Sequence, residues 1–155
     1  MPTALEEIDE VIFFPLGATA LFPLPLFSQR VECGGSTTGF ASPADDYIEA
    51  HLDLHQFHGI KRHACFLVKA FGESMIDAGI LEGDILIVDT SASYRENSIV
   101  VCELNGAYKV KMIQRAGDKL YLVSRNPSFA PIEIQEYDDL LVFGVVKGLS
   151  RNFLS

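Results

Sequence analysis

From residue 65 onward the chain alternates short apolar runs with turn residues, and no run is long enough for an amphipathic helix. Cys65-Phe66-Leu67-Val68 and Ile85-Leu86-Ile87-Val88 are brief, β-branched or aromatic and bounded by Gly, so both read as strands. Further strands are predicted at Ser98 to Leu104, Tyr108 to Ile113, Lys119 to Ser124, Ile132 to Ile134 and Leu140 to Leu149. Asn105-Gly106 between two of them is a strong hairpin signal and makes those strands antiparallel neighbours. Asn126-Pro127 marks another turn, and no internal repeat or low-complexity segment is present. The fold class is mainly β, with short, mostly antiparallel strands and one N-terminal helix.

The first forty residues follow a different pattern. An acidic start (Glu6, Glu7, Asp9, Glu10) leads into an apolar stretch from Val11 to Phe27, interrupted by Pro15, Pro23 and Pro25, and then into Cys33-Gly34-Gly35-Ser36-Thr37-Thr38-Gly39. Two readings stay open for Val11 to Phe14. Either they begin an extended arm that docks through Phe13, Phe14, Leu21, Phe22 and Phe27, or they are a first edge strand of the domain. Ser42-Pro43-Ala44-Asp45 supplies an N-cap, a proline at the first helical position and a carboxylate in the first turn, which predicts a helix from Pro43 to Leu52 or Leu54. The expected organisation is an arm and linker over residues 1–40 and a single domain over 41–155.

Composition narrows the partners. At 155 residues the chain is long enough to bury a core, and 48% hydrophobic content favours self-association. A formal charge of -9, from 21 acidic and 12 basic residues, argues against direct nucleic-acid binding, which needs clustered Lys and Arg to displace counterions. The three cysteines, Cys33, Cys65 and Cys102, lack Cys-x-x-Cys spacing, so neither a disulfide framework nor a thiolate zinc site is expected, as fits a reducing cytosol. Prolines in the apolar stretch, and the lack of Lys or Arg ahead of it, exclude a signal peptide or a membrane span and predict a cytoplasmic chain. His51, His55, His58 and His63 admit a metal reading, but no Cys, Asp or Glu completes a set, and surface or capping roles are the simpler account. No metal or cofactor is expected.

Ser74 lies on the connection Ala70 to Asp84, just after Gly72-Glu73 at the end of a strand. A turn there can leave its own N–H and that of Met75 pointing at an incoming carbonyl oxygen, although most such serines merely cap nearby backbone. A serine nucleophile needs a base. All four histidines precede Ser74, so a His-based triad requires that segment to fold back. Lysine can replace histidine where burial lowers its pKa well below the ordinary value of about 10.4. In Tyr108-Lys109-Val110-Lys111-Met112-Ile113, alternation puts Lys109, Lys111 and Ile113 on one face, and Lys111 is the more deeply embedded in apolar neighbours. Lys109 is the alternative base, and edge-strand lysines are the alternative without catalysis.

Gly72-Glu73-Ser74-Met75, Gly83-Asp84 with Leu86-Ile87-Val88-Asp89, Val110-Lys111 and Val142-Phe143-Gly144-Val145-Val146 together resemble the LexA/UmuD family of self-cleaving serine-lysine peptidases. The resemblance runs from Ser42 to about Lys147. It is nearest to the UmuD branch, through Ala41-Ser42-Pro43-Ala44-Asp45-Asp46-Tyr47-Ile48-Glu49 and Asn126-Pro127-Ser128-Phe129-Ala130-Pro131-Ile132. Glu73 departs from the Asp of close relatives, and the arm before Cys33 is longer than the UmuD pattern.

The resemblance implies Ser74 as nucleophile, Lys111 as general base and later general acid, and the N–H groups of Ser74 and Met75 as oxyanion donors. It also implies Cys33-Gly34 as the bond cut, where a glycine without Cβ permits close backbone approach. It further implies stimulation by a RecA filament on single-stranded DNA during the SOS response. The product would be a truncated homodimer serving a UmuC-type polymerase in synthesis across lesions. The cut removes Glu6, Glu7, Asp9, Glu10, Arg30 and Glu32, taking the net charge from -9 to -5. Two alternatives remain open at this point. One is a non-proteolytic binding module that regulates a polymerase or RecA; the other is a LexA-like peptidase that cuts other proteins. A LexA-type repressor would need a DNA-binding helical domain ahead of the cut, and no helix-turn-helix pattern is seen there.

Overall fold

Strand propensity after residue 64 is realised as one antiparallel sheet, described in a computed structural model that covers residues 8–12, 24–27, 48–61 and 63–154. The chain divides into two compact units, Met1–Leu16 with Ile60–Ser155, and Gly17–Gly59. The larger unit contains β1 (Ile8–Ile12), β4 (Cys65–Ala70), β5 (Ile85–Asp89), β6 (Ile99–Leu104), β7 (Ala107–Ala116), β8 (Lys119–Val123), β9 (Ile132–Glu133) and β10 (Leu140–Ser150). Their order across the sheet is β1-β4-β5-β10-β6-β7-β8-β9, with every neighbouring pair antiparallel. The mainly β class expected from the sequence is the class observed.

The hairpin at Asn105-Gly106 forms as expected: Leu104 faces Ala107, and both turn residues have positive φ, 52° and 83°, as a two-residue hairpin turn requires. β10 is less regular, with register shifts between Val142 and Gly144 against β6 and between Val146 and Gly148 against β5. At Gly144 the backbone passes so close to β5 that a Cβ would lie 2.7 Å from the Asp89 carbonyl oxygen and 2.8 Å from Val88 Cγ1. Only glycine fits there. Two groups of buried side chains hold the sheet. One gathers Val68, Met75, Ile80, Leu86, Val88 and Met112, and the other Val100, Cys102, Leu104, Ile113 and Leu122.

Of the two readings for Val11 to Phe14, the edge strand is the one formed at Val11 and Ile12. β1 runs along β4 with Ile8 opposite Ala70 and Ile12 opposite Leu67. Phe13, Phe14, Leu21 and Phe22 lie outside the described residues, as do the expected boundary at residues 40 and 41 and the Cys33-Gly34 bond.

In the smaller unit the helix expected from Pro43 is not formed over its second half. Ile48–Leu52 is instead strand β3, paired antiparallel with β2 (Leu24–Phe27). The period explains the difference: apolar Ile48, Ala50 and Leu52 alternate with Glu49 and His51, and a partner strand satisfies the backbone at once. Helix α1 (Leu54–Phe57) starts only after Asp53, whose Oδ1 accepts from the Gln56 N–H at 3.0 Å and so caps it. Residues 43–47 lie outside the described residues. Among the described residues no helix is long and apolar enough to cross a membrane.

Candidate active site

The chain leaves β4 at Ala70 and returns to β5 at Ile85, and the intervening loop carries Ser74. Its ends are closed by two backbone bonds: the Ala70 N–H donates to the Asp84 carbonyl at 2.7 Å, and the Gly83 N–H to the Ala70 carbonyl at 2.8 Å. Gly72, at φ 85°, makes the sharp exit from β4 that an L side chain would resist. Met75 and Ile80 anchor the loop by burying their side chains in the first apolar group, each contributing about 2 kcal/mol. Between them Ile76–Ala78 forms a single 3-10 turn, in which the Met75 carbonyl accepts from the N–H groups of Ala78 at 3.0 Å and Ile80 at 3.3 Å.

The residues after β8 hold the same loop from another direction. The Asn126 side-chain amide donates to the Glu73 carbonyl at 2.9 Å, and the Asp77 N–H donates to the Arg125 carbonyl at 2.8 Å. Both sides of Ser74 are therefore tied to fixed backbone. Within the turn the Ile76 N–H donates back to the Glu73 carbonyl at 3.4 Å.

Lys111 reaches this turn from β7. Its Nζ donates to Ser74 Oγ at 2.9 Å, with Lys111 4% and Ser74 8% exposed. The strand alternation left Lys109 and Lys111 both in play, and Lys111 is the one brought to Ser74. An amine at this distance, when neutral, can accept the serine proton, and a hydroxyl relieved of its proton becomes a nucleophile. A shallow pocket beside Ser74 is lined by Ala70, Phe71, Gly72, Met75, Ile80 and Val110. Apart from Ser74 its lining is apolar.

The four histidines are carried by other elements. His51 lies on β3, His55 and His58 in and just after α1, and His63 in the turn before β4. His55 Nδ1 is 3.6 Å from Asp53 Oδ1. No group of three or more His, Cys, Asp or Glu side chains able to hold a metal occurs among the described residues.

Sequence reasoning gave no role to Asp84 and Arg151, which meet behind the loop. Arg151 Nε donates to Asp84 Oδ1 and its Nη2 to Oδ2, both at 2.6 Å, and the Leu81 N–H donates to Oδ2 at 2.8 Å. Asp84 is 1% exposed. The Arg151 hydrogen bond holds its carboxyl below the usual carboxylate range, against the burial that would raise it. One signal was available: a carboxylate opening the buried run Ile85-Leu86-Ile87-Val88 needs a cation. Nothing local pointed to Arg151, 67 residues away.

Comparison with known proteins places the chain in a family. Residues 25–147 match the family described as Peptidase S24-like. Protein ImpA of Salmonella typhimurium is 37% identical over 123 residues, 79% of each chain. Protein SamA of the same species is 35% identical over 132 residues, 85% of each. A LexA repressor of Pseudomonas putida is 41% identical over 91 residues, 59% of this chain and 45% of the repressor. With the family match spanning both Ser74 and Lys111, and two relatives covered over most of their length, the chain belongs to the Peptidase S24-like family, as a UmuD-like member of its LexA/UmuD group.

Proposed function

We propose that this chain is a self-cleaving serine peptidase of the SOS response, which cuts its own Cys33-Gly34 bond with Ser74 as nucleophile and Lys111 as base. The observation that carries the reading is the buried 2.9 Å contact between Lys111 Nζ and Ser74 Oγ on a loop closed at both ends. Neutral Lys111 takes the hydroxyl proton as Ser74 Oγ attacks the Cys33 carbonyl. The oxyanion that develops is met by the N–H groups of Ser74 and Met75. As the C–N bond breaks, the Lys111 ammonium returns the proton to the Gly34 nitrogen, leaving an ester between Ser74 and Cys33. Water, deprotonated by Lys111, then hydrolyses the ester and frees the serine.

The arm over residues 1–40 carries the cut, and residues 41–155 act on it. In this reading a RecA filament on single-stranded DNA promotes the cut in the cytoplasm. The truncated homodimer then serves a UmuC-type polymerase in synthesis across lesions. The relatives named ImpA and SamA support this branch over a repressor, because each is matched over most of its length whereas the LexA repressor is matched over less than half.

Mass spectrometry of purified chain incubated at about pH 10, where lysine is more often neutral, tests the chemistry. A cut between Cys33 and Gly34 in the parent, absent from both Ser74→Ala and Lys111→Ala, is the expected result. A parent that stays whole even with RecA filaments added removes the proteolytic reading and leaves a binding module.

A further inference from the structure

Arg151 follows β10 directly and lies beyond the family-matched residues 25–147. Its guanidinium holds two points of the Ser74 loop at once. Besides the paired bonds to Asp84, its Nη2 donates to the Gly79 carbonyl at 2.9 Å. Gly79 closes the 3-10 turn: its N–H donates to the Ile76 carbonyl at 2.9 Å, and its φ of 79° reverses the chain. That same turn fixes the Met75 carbonyl, through Ala78 and Ile80, and a peptide whose carbonyl is held is held in orientation as a unit.

We infer that Arg151 is a positioning residue for the Ser74 site, fixing the 76–84 loop so that the loop keeps its orientation beside Ser74. The inference rests on the proposed function for its consequence in cleavage, but not for its geometry. The planar fork is what the arrangement requires, since two nitrogens meet both carboxylate oxygens while one of them also reaches Gly79. A lysine there would keep the charge opposite Asp84 and lose the second anchor. The lowered pKa of Asp84 accords with a carboxylate kept ionised against burial.

The full chain is compared with Arg151→Lys and Arg151→Gln. Three quantities are read: self-cleavage rate, thermal midpoint, and amide hydrogen exchange at Ala78, Gly79, Ile80 and Leu81. In Arg151→Lys we expect a midpoint near the parent's, exchange at those four amides faster by about tenfold, unchanged exchange in the β6–β7 hairpin, and cleavage slower by about tenfold. Arg151→Gln should show the same loop changes with a lower midpoint as well. Parent-like cleavage and loop exchange in Arg151→Lys overturn the inference. So does exchange that rises uniformly across the sheet, which assigns Arg151 to general stability. If the parent itself is never cut, the proposed function fails, while loop exchange still decides whether Arg151 holds the turn.

Discussion

The loop between β4 and β5 has a polar pair at each end, and the two pairs are built for opposite purposes. Near its start a lysine amine meets a hydroxyl; at its close a carboxylate meets a guanidinium. The hydroxyl of Ser74 can donate or accept, so that contact survives loss of a proton from Lys111. Arg151 never gives up its proton under ordinary conditions and Asp84 is held ionised, so their contact keeps one state. A pair that can change protonation is suited to chemistry. A pair that cannot is suited to holding the chemistry in place.

The largest test of this contrast is Ser74→Ala. We expect the self-cleavage rate to fall by about a thousandfold or more, with a thermal midpoint close to the parent's. A residual cut at Cys33-Gly34 at the parent's rate would move the nucleophile elsewhere. Asp84→Ala should slow the cut, as Arg151→Lys does, and also lower stability by about 2 kcal/mol. That is less than a fully buried pair costs to break, because Arg151 keeps a third of its side chain in solvent. Urea denaturation measures this, and an unchanged midpoint would separate the carboxylate from the fold's stability.

Lys111→Met is the finer test. It removes the proposed base, so cleavage is expected to stop, yet it replaces a buried amine with an apolar chain of similar length and should raise stability by about 1 kcal/mol. A loss of stability would mean that Lys111 is structural in the way Asp84 is. The smallest effect concerns acid. The Arg151 bond lowers the pKa of Asp84, and the Ser91 hydroxyl, donating at 2.7 Å, lowers that of Asp89. Their stabilisation is complete above the unfolded carboxylate value of about 3.9 and is lost as pH falls through the lower folded values. Denaturation midpoints at pH 7, 4 and 3 should fall for the parent and fall less for Asp84→Asn. A parent midpoint flat to pH 3 would show that neither carboxylate is coupled to folding.

The strands after residue 64 were legible because their signals are local. Ile85 to Asp89 and the Asn105-Gly106 hairpin appear where alternation and turn chemistry put them, and the Ser74–Lys111 pairing was reachable from an unusual lysine in a buried strand. The cap at Ser42 favours a helix, but a strand wins where the residues that follow alternate apolar and polar. Ile48 to Leu52 do, and pairing with β2 decided the outcome. Strand order was not legible, since nothing in Leu140 to Ser150 says it passes between β5 and β6 rather than at an edge. Arg151 was missed for the same reason, as its partner is near only once that order is known.

The placement of β10 also bears on how the molecule is assembled. β10 follows β4 to β9 in sequence yet is a middle strand of the sheet, paired with β5 on one side and β6 on the other. During synthesis β4 with β5, and β6 with β7 and β8, can each form by neighbouring contacts, but they cannot join until residues 140–150 have emerged to bridge them. Arg151 leaves the ribosome after that strand, so the clamp behind Ser74 closes only once β10 is out. The timing of translation thus separates the making of the serine turn from its fastening.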